Sequence, residues 1–453
     1  MNPSSPAGGP VPDGDRRLPD SYWAATAGPQ IELIRPEGEI EADAVVIGGG
    51  FTGLRCALEL ALKGVAVVVI DAEEPGWGAS GRSGGQVNPL PHRLPEEIAK
   101  IYGPRHAEIF FAAAAGCADE LFGVIRDHGV DCEHYQHGWV QAAHKPARMP
   151  LLETRQREWA KRGIEVEMIS RREIIEKVGA PGYHGGAIFP RGGAIHPLGY
   201  TRGLAHAAIR AGARIFAKTR ADTLSREGEG WRLGCNRGAA TIRCRNVVLA
   251  TNAYTTAEPV PALARAVNPV CTIQAASAPL SEEQLQSVMP GRTTLADTRR
   301  ALFYTRRTGE NRITLGALAH HYDAIRPDDR ERIHVGLSQV FPQLKGLKWD
   351  YYWHGWVAHT EEMMPHFHEP LPGIFAGLGF NGRGVAMTTV MGRTLAERVL
   401  GADPKTLPFP TLPMKSNPYR LLGRLGMRLA VSYFETMDAI DNRANREWLT
   451  KPA

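Results

Sequence analysis

The stretch Ala44-Val-Val-Ile-Gly-Gly-Gly-Phe-Thr-Gly53 constrains this chain more than any other. Four apolar residues run directly into Gly48, Gly50 and Gly53, the spacing of a phosphate-binding turn between a strand and a helix. The first glycine permits the tight turn, the second lets backbone approach a pyrophosphate, and the third lets helix and strand pack closely. The following helix then points its positive N-terminus at the anion.

The flanking residues agree with that reading. Leu54, Ala57, Leu58 and Ala61 recur at helical spacing, and Gly64 stands where a helix ends. Val65 to Ile70 is an unbroken apolar run, as expected of a parallel strand buried on both faces. Asp71 closes that strand, where a carboxylate would accept hydrogen bonds from ribose hydroxyls.

With 453 residues the chain exceeds what one hydrophobic core usually serves, so two domains interleaved in sequence are expected. A net charge of +5, with acids scattered among the Lys and Arg residues, argues against a nucleic-acid partner. The six cysteines form no CxxC pair and no metal-ligand spacing, and read as reduced thiols of a cytoplasmic protein. His134, His137 and His144 complete no ligand pattern either, so no metal is expected. Residues 1–17 are polar and rich in Pro and Gly, a tail, and Trp23 reads as the anchor of an arm spanning residues up to 40. No run of apolar residues is long enough for a spanning helix.

A second glycine-rich loop, Pro75 to Gly85, follows Asp71 and contains Arg82. So many glycines beside one arginine mark backbone lying against something flat or anionic. From Leu94 to Lys145 the pattern reads as helical, and Arg155 to Arg162 as a solvated charged face. Gly185 to Pro197 leads into a helix from Leu198 to Ala211, then short strands at Arg214–Ala217, Trp231–Cys235 and Thr241–Ala250. Between Pro259 and Tyr352, alternating strands and aromatics suggest a mostly antiparallel sheet. Pro372 to Gly384 is a strand ending in a third glycine loop, followed by a helix from Val385. The tail holds an amphipathic segment, with Arg420, Arg424 and Arg428 beside Leu421, Leu425 and Leu429. It could touch a membrane surface peripherally, although packing on the protein's own body is the expectation.

A nicotinamide site would need only the first turn. Glycine loops at 48–53, 76–85 and 377–384, with a strand ending in small residues at 250–254, suit a longer ligand touched at both ends, and FAD is such a ligand. The helix after Gly384 would set its positive end against the flavin's pyrimidine edge, where negative charge collects on reduction.

Gly48–Gly53, Gly78–Gly85, Gly193–Pro197, Ala250–Tyr254 and Gly379–Gly384 together closely resemble the D-amino-acid oxidase-like FAD oxidoreductases. The resemblance covers about residues 20 to 435. It implies an α/β, Rossmann-like FAD-binding domain that is discontinuous (41–92, 191–257 and 365–402), an α+β substrate domain on a mostly antiparallel sheet (93–190 and 258–364), and a helical tail (403–453). It implies cofactor contacts from Gly48, Gly50, Phe51, Thr52, Gly53, Asp71 and Ala72 to the ADP half. Ser80, Gly81, Arg82, Ser83, Gly84 and Gly85 would follow at the pyrophosphate and flavin, with Thr251 and Asn252. Gly379, Asn381, Gly382, Arg383, Gly384 and Val385 would meet the pyrimidine edge. Catalytic roles fall to Tyr304, His354 and Arg383, with Trp353 and Trp356 as walls and His196 near the ring.

The activity implied is oxidation of the C–N bond of an amine or amino acid, a gamma-glutamylated amine among the candidates, by hydride transfer to flavin N5 and hydrolysis of the imine. Thr314 stands where fast oxidases of the family carry a lysine, which leaves oxygen, a quinone or a protein as electron acceptor. No cysteine follows Cys271, so FAD is expected to be non-covalent. Two rival readings stand: a D-amino-acid dehydrogenase feeding a quinone, and a flavin-binding subunit without catalysis.

Overall fold

The computed structural model describes residues 17–89, 91–418 and 423–449. The expected polar tail up to residue 16, and Arg420 and Leu421 of the amphipathic segment, lie outside the described residues. The apolar run Ala44–Ile47 forms a strand paired in parallel with Val67–Ile70 on one side and Asn246–Leu249 on the other. Arg214–Phe216 and Ile374–Leu378 extend the sheet in parallel at either end, and His366–Leu371 adds an antiparallel edge, giving six strands.

Both faces of this sheet are covered, which is why its strands read as continuous apolar runs rather than alternating ones. Ala44, Val46, Val67 and Val69 join one core cluster, while Val45, Ile47, Val68 and Ile70 join another. On the first face lie the helices Phe51–Leu62 and Gly384–Val399, packed so closely that a Cβ on Gly392 would stand 2.6 Å from Arg55 Cβ and 2.7 Å from the Thr52 carbonyl. Phe51–Leu62 is apolar on most sides because most of it is enclosed, ten of its twelve residues being buried. That crossing holds two helix N-termini at the same edge of the sheet.

A four-stranded sheet covers part of the other face through Trp231, Leu233 and Ile242. Here the expected single strand Thr241–Ala250 is two strands in different sheets. Ala240–Cys244 belongs to the small sheet and Asn246–Leu249 to the large one. The amides of Arg245 and Asn246 both donate to the Asp43 carbonyl, which turns the chain between them.

An eight-stranded sheet stands beyond the carboxyl edge of the first. Its strands run Trp349–His359, Asn268–Ser277, Ile313–Leu318, Phe303–Arg307, Thr294–Asp297, Trp139–Ala142, Gly185–Phe189 and Glu167–Ser170 in spatial order. All neighbours are antiparallel except Thr294–Asp297 with Trp139–Ala142. The helical reading of Leu94–Lys145 therefore holds only to Asp127, through helices Pro95–Tyr102 and Pro104–Asp127. Strands His134–Tyr135 and Trp139–Ala142 follow, the latter wholly buried and so without the alternation that marks a strand.

The helix Gly423–Leu449 closes the chain. Its acids hold it to the large sheet's domain: Asp441 meets Lys145 at 2.5 Å and Arg300 at 2.7 Å, and Glu435 pairs with Arg332 and His320. Leu429, Tyr433 and Ile440 remain exposed on it. No helix among the described residues is long and apolar enough to cross a membrane.

Candidate active site

A cavity of about 740 Å³ runs from the first glycine turn, along the carboxyl edge of the parallel sheet, to the eight-stranded sheet. Gly48 begins it with φ +111, and a Cβ there would lie 2.9 Å from the Ala250 carbonyl oxygen. A Cβ on Gly53 would sit 2.0 Å from the Gly48 carbonyl oxygen, so this glycine serves the close turn and does not line the cavity. Gly50, Phe51, Thr52, Asp71 and Ala72 do line it. Asp71 accepts from the amides of Gly49 at 2.7 Å and Glu73 at 2.8 Å, and burial pushes its carboxyl up to about 6. Each oxygen retains a lone pair for a ribose hydroxyl.

Within the second loop, Ser80, Ser83, Gly84 and Gly85 face the cavity, whereas Gly81 and Arg82 do not. Ser80 Oγ accepts from the Phe51 amide at 3.0 Å, capping the first helix from outside. Arg82 is turned away from any pyrophosphate position. Its Nε donates to the Trp77 carbonyl at 2.7 Å, its Nη1 donates to the His354 carbonyl at 3.3 Å, and its guanidinium stacks 4.4 Å from the Trp77 ring. It fastens the glycine loop to the eight-stranded sheet, a role its residue type alone does not disclose. Trp23 assists, donating to the Ser83 carbonyl at 2.9 Å, so the arm's anchor sits on the cofactor loop itself.

Thr251 and Asn252 line the cavity at the end of the Asn246–Leu249 strand. Asn252, at φ +48, accepts from the Gly379 amide at 2.9 Å and so ties this strand end to the third glycine loop. Gly379 itself stays outside the cavity, while Asn381, Gly382, Arg383, Gly384 and Val385 line it. Arg383 stands at the N-terminus of the Gly384–Val399 helix with its guanidinium 4.7 Å from the Trp139 ring. Burial, then the nearby Arg155, pulls it down to about 9, and no carboxylate among the described residues pairs with it.

On the opposite wall, Tyr304 lies flat over Gly316, where a Cβ would come within 2.2 Å of its ring. Gln274 Nε2 donates to its hydroxyl oxygen at 3.1 Å, the Thr272 side chain is hydrogen-bonded to the same hydroxyl, and burial pushes its pKa up to about 12. Trp356 also lines the cavity, but Trp353, His354 and His196 do not. Trp353 donates to the Arg82 carbonyl at 2.8 Å beneath the loop. His354 packs edge-on against Trp356 at 5.1 Å, and burial, then Arg82, lowers it to about 4. His196 caps the Pro197–Arg210 helix through Gly199. Thr314 is buried within its strand and faces away, toward the Arg306 carbonyl. None of the six cysteines lines the cavity.

Sequence reading passed over His92, Arg148 and Arg155, all of which line the cavity. Arg155, read as part of a solvated face, shares the inner side of helix Met149–Ala160 with the buried Leu152 and Trp159. The spacing 152, 155, 159 is the signal that places it there.

FAD fits this cavity. Gly48 and Gly50 let the turn close against Ala250 and Ser80 and line the cavity with bare backbone, two helix N-termini face opposite ends, and an unpaired Arg383 waits at the far one. Residues 43–398 match the family described as FAD dependent oxidoreductase. The chain is 33% identical over 395 residues to gamma-glutamylputrescine oxidoreductase of Escherichia coli K12, covering 87% of this chain and 92% of that protein. Glycine oxidase from Geobacillus kaustophilus superposes with a TM-score of 0.67 at 20% identity, over 80% of this chain and 96% of that one. L-proline dehydrogenase from P. horikoshii gives a TM-score of 0.68 at 20% identity, over 82% and 98%.

Proposed function

The chain belongs to the family of FAD-dependent oxidoreductases, and we propose that it oxidises the C–N bond of an amine or amino acid. One observation carries the reading: a single cavity joins the nucleotide-binding turn at Gly48–Thr52, the loop at Gly382–Val385 and a chamber under Tyr304 and Trp356. A continuous cavity lined in this way suits FAD with a small substrate beyond it. The named relative and the glycine and proline enzymes of like fold support a C–N bond as the target.

Bound there, FAD supplies the acceptor for a hydride leaving the carbon beside nitrogen. The chain's own residues prepare that transfer. The apolar walls at Trp356, Ala358 and Leu318 favour an uncharged amine over an ammonium, so no strong base is needed. Tyr304, with its pKa raised to about 12, remains a hydrogen-bond donor at neutral pH and orients the substrate through an acceptor oxygen. Arg383, still cationic at neutral pH, would add its charge to the helix N-terminus at that end of the cavity and so favour negative charge on a flavin held there. Asp71 and Ser80 would hold the nucleotide half in register.

The test is anaerobic mixing of FAD-loaded protein with amines, glutamyl-amines and D- and L-amino acids while following flavin absorbance near about 450 nm. Bleaching by one class identifies the substrate, and colour restored by oxygen or by a quinone then identifies the acceptor. Unchanged absorbance with every compound would sink the reading in favour of a non-catalytic flavin subunit.

A further inference from the structure

The C-terminal helix Gly423–Leu449 carries apolar residues on two sides. Its inner side packs on the body: Val431 is buried, Met427 joins the core and its sulfur accepts from the Cys271 amide at 3.3 Å, and Phe434 reaches the cavity. On the outer side, Leu429, Tyr433, Thr436 and Ile440 stand at i, i+4, i+7 and i+11, positions that one helix face presents together, and all four are exposed. Leu429 is 63% exposed, Tyr433 59% and Ile440 53%. They are three of the nine exposed large hydrophobic residues among those described. The other six stand singly on different elements, so this face is a patch and not scatter.

Charge is sorted between the two sides. The acids Glu435, Asp438 and Asp441 all turn to the body, where they pair with Arg332 and His320, with Arg300, and with Lys145. Among the described residues the outer face holds no acid, and its one charge is Arg428, exposed at its edge. The surrounding chain is basic in sequence. From Lys415 to Lys451 there are seven Lys and Arg residues, and beyond the three acids bound to the body only Glu447 opposes them.

An exposed aliphatic and aromatic row beside uncompensated cations suits the interface of an anionic bilayer. Leu and Ile enter the acyl boundary, Tyr sits at headgroup depth, and Arg meets lipid phosphate. A second copy of the chain suits the row poorly. A two-fold pairing lays the same face on itself, and no acid on either described face would meet the arginine of the other.

We propose that the outer face of this helix is a docking surface for an anionic membrane, on which the protein rests peripherally. Phe434, next to Tyr433 in the chain, lines the cavity from the same helix, so the docked protein holds that part of the cavity at the lipid surface. The helix lies beyond residues 43–398, the part matched by the family, so membership alone does not bring this surface. It stands whichever bond the enzyme oxidises.

Sedimentation of the FAD-loaded, full-length protein with vesicles tests this. Vesicles of phosphatidylcholine containing phosphatidylglycerol are expected to bind at least about tenfold more tightly than phosphatidylcholine alone, and less tightly as salt rises. Arg428→Gln should weaken that binding about fivefold. Leu429→Gln combined with Ile440→Gln should weaken it about tenfold. All three positions are exposed, so flavin absorbance and melting temperature should match the parent in each variant. Absence of binding to the anionic vesicles, or equal binding by the parent and both variants, would overturn the surface. So would light scattering that shows a dimeric parent and a monomeric double variant without lipid, which would assign the face to a second copy.

Discussion

Asp71 carries opposite pH signatures in the two ligation states. Its carboxyl in the ligand-free fold is raised to about 6, so the stability this group contributes is present below the ordinary carboxylate range and lost as pH rises through about 6. Ribose hydroxyls donate to the ionised form, so FAD should bind with release of a proton and bind more weakly as pH falls below about 6, by up to about tenfold per unit. Fluorescence titration of the ligand-free protein between pH 5 and 8 measures this, and Asp71→Asn should flatten the profile. Gly48 is a second residue whose effect is local. At φ +111, with the Ala250 carbonyl 2.9 Å from a future Cβ, Gly48→Ala should cost about 1–3 kcal/mol and much of the flavin content, read by thermal melting and absorbance. Tyr304→Phe should keep the bound flavin and lower kcat/KM, since the ring stays while the hydroxyl, with its bond from Gln274 Nε2, is lost.

At the scale of elements, the site is a meeting of loop ends that belong to distant stretches of chain. Asn252 joins the Asn246–Leu249 strand to the third glycine loop through its bond to the Gly379 amide, and its own φ of +48 suits Asn better than Ala. Asn252→Ala should therefore cost about 1–3 kcal/mol and loosen the flavin end selectively. The expected outcome is weakened FAD affinity with ADP affinity unaltered, separable by competition titration. The crossing of helices Phe51–Leu62 and Gly384–Val399 at Gly392 works in the same way, keeping both N-termini on one ligand. This half of the cofactor site was legible in sequence because each glycine loop follows its strand within a few residues. The opposing wall was legible only in part, since Tyr304 and Trp356 line the cavity as expected. Arg82 and Trp353 were placed by motif and sit a layer below the cavity, whereas Arg155 was hidden in a run of charges and belongs on it.

For the whole molecule, the C-terminal helix Gly423–Leu449 brings the end of the described chain back to the cavity. Phe434 lines the cavity, while Asp438, Asp441 and Glu435 hold the helix to Arg300, Lys145 and Arg332. Partly exposed ion pairs are weakened by salt. A chain ending at Pro418 should keep its FAD, because that helix supplies no nucleotide contact, yet expose the flavin to solvent. Quenching of flavin fluorescence by iodide should rise in the truncated protein, and in the full-length protein as ionic strength increases. Equal quenching in both forms would show that the helix does not cover the flavin.

The sequence by itself determined the nucleotide half: Gly48, Gly50, Gly53 and Asp71 lie within one strand-turn-helix-strand unit, and local sterics and helix polarity act over that range. It also marked the third glycine loop, because a strand, a turn and a helix again follow one another. Only the tertiary structure decided what else lines the far end of the cavity beside the expected Tyr304, Trp356 and Arg383. That end is lined by Tyr304, Trp356, Arg148, Arg155 and Arg383, carried by stretches far apart in the chain. Whether an arginine there is a strut like Arg82 or an unpaired charge like Arg155 depends on which carbonyls and carboxylates the fold brings beside it, and no local spacing records that.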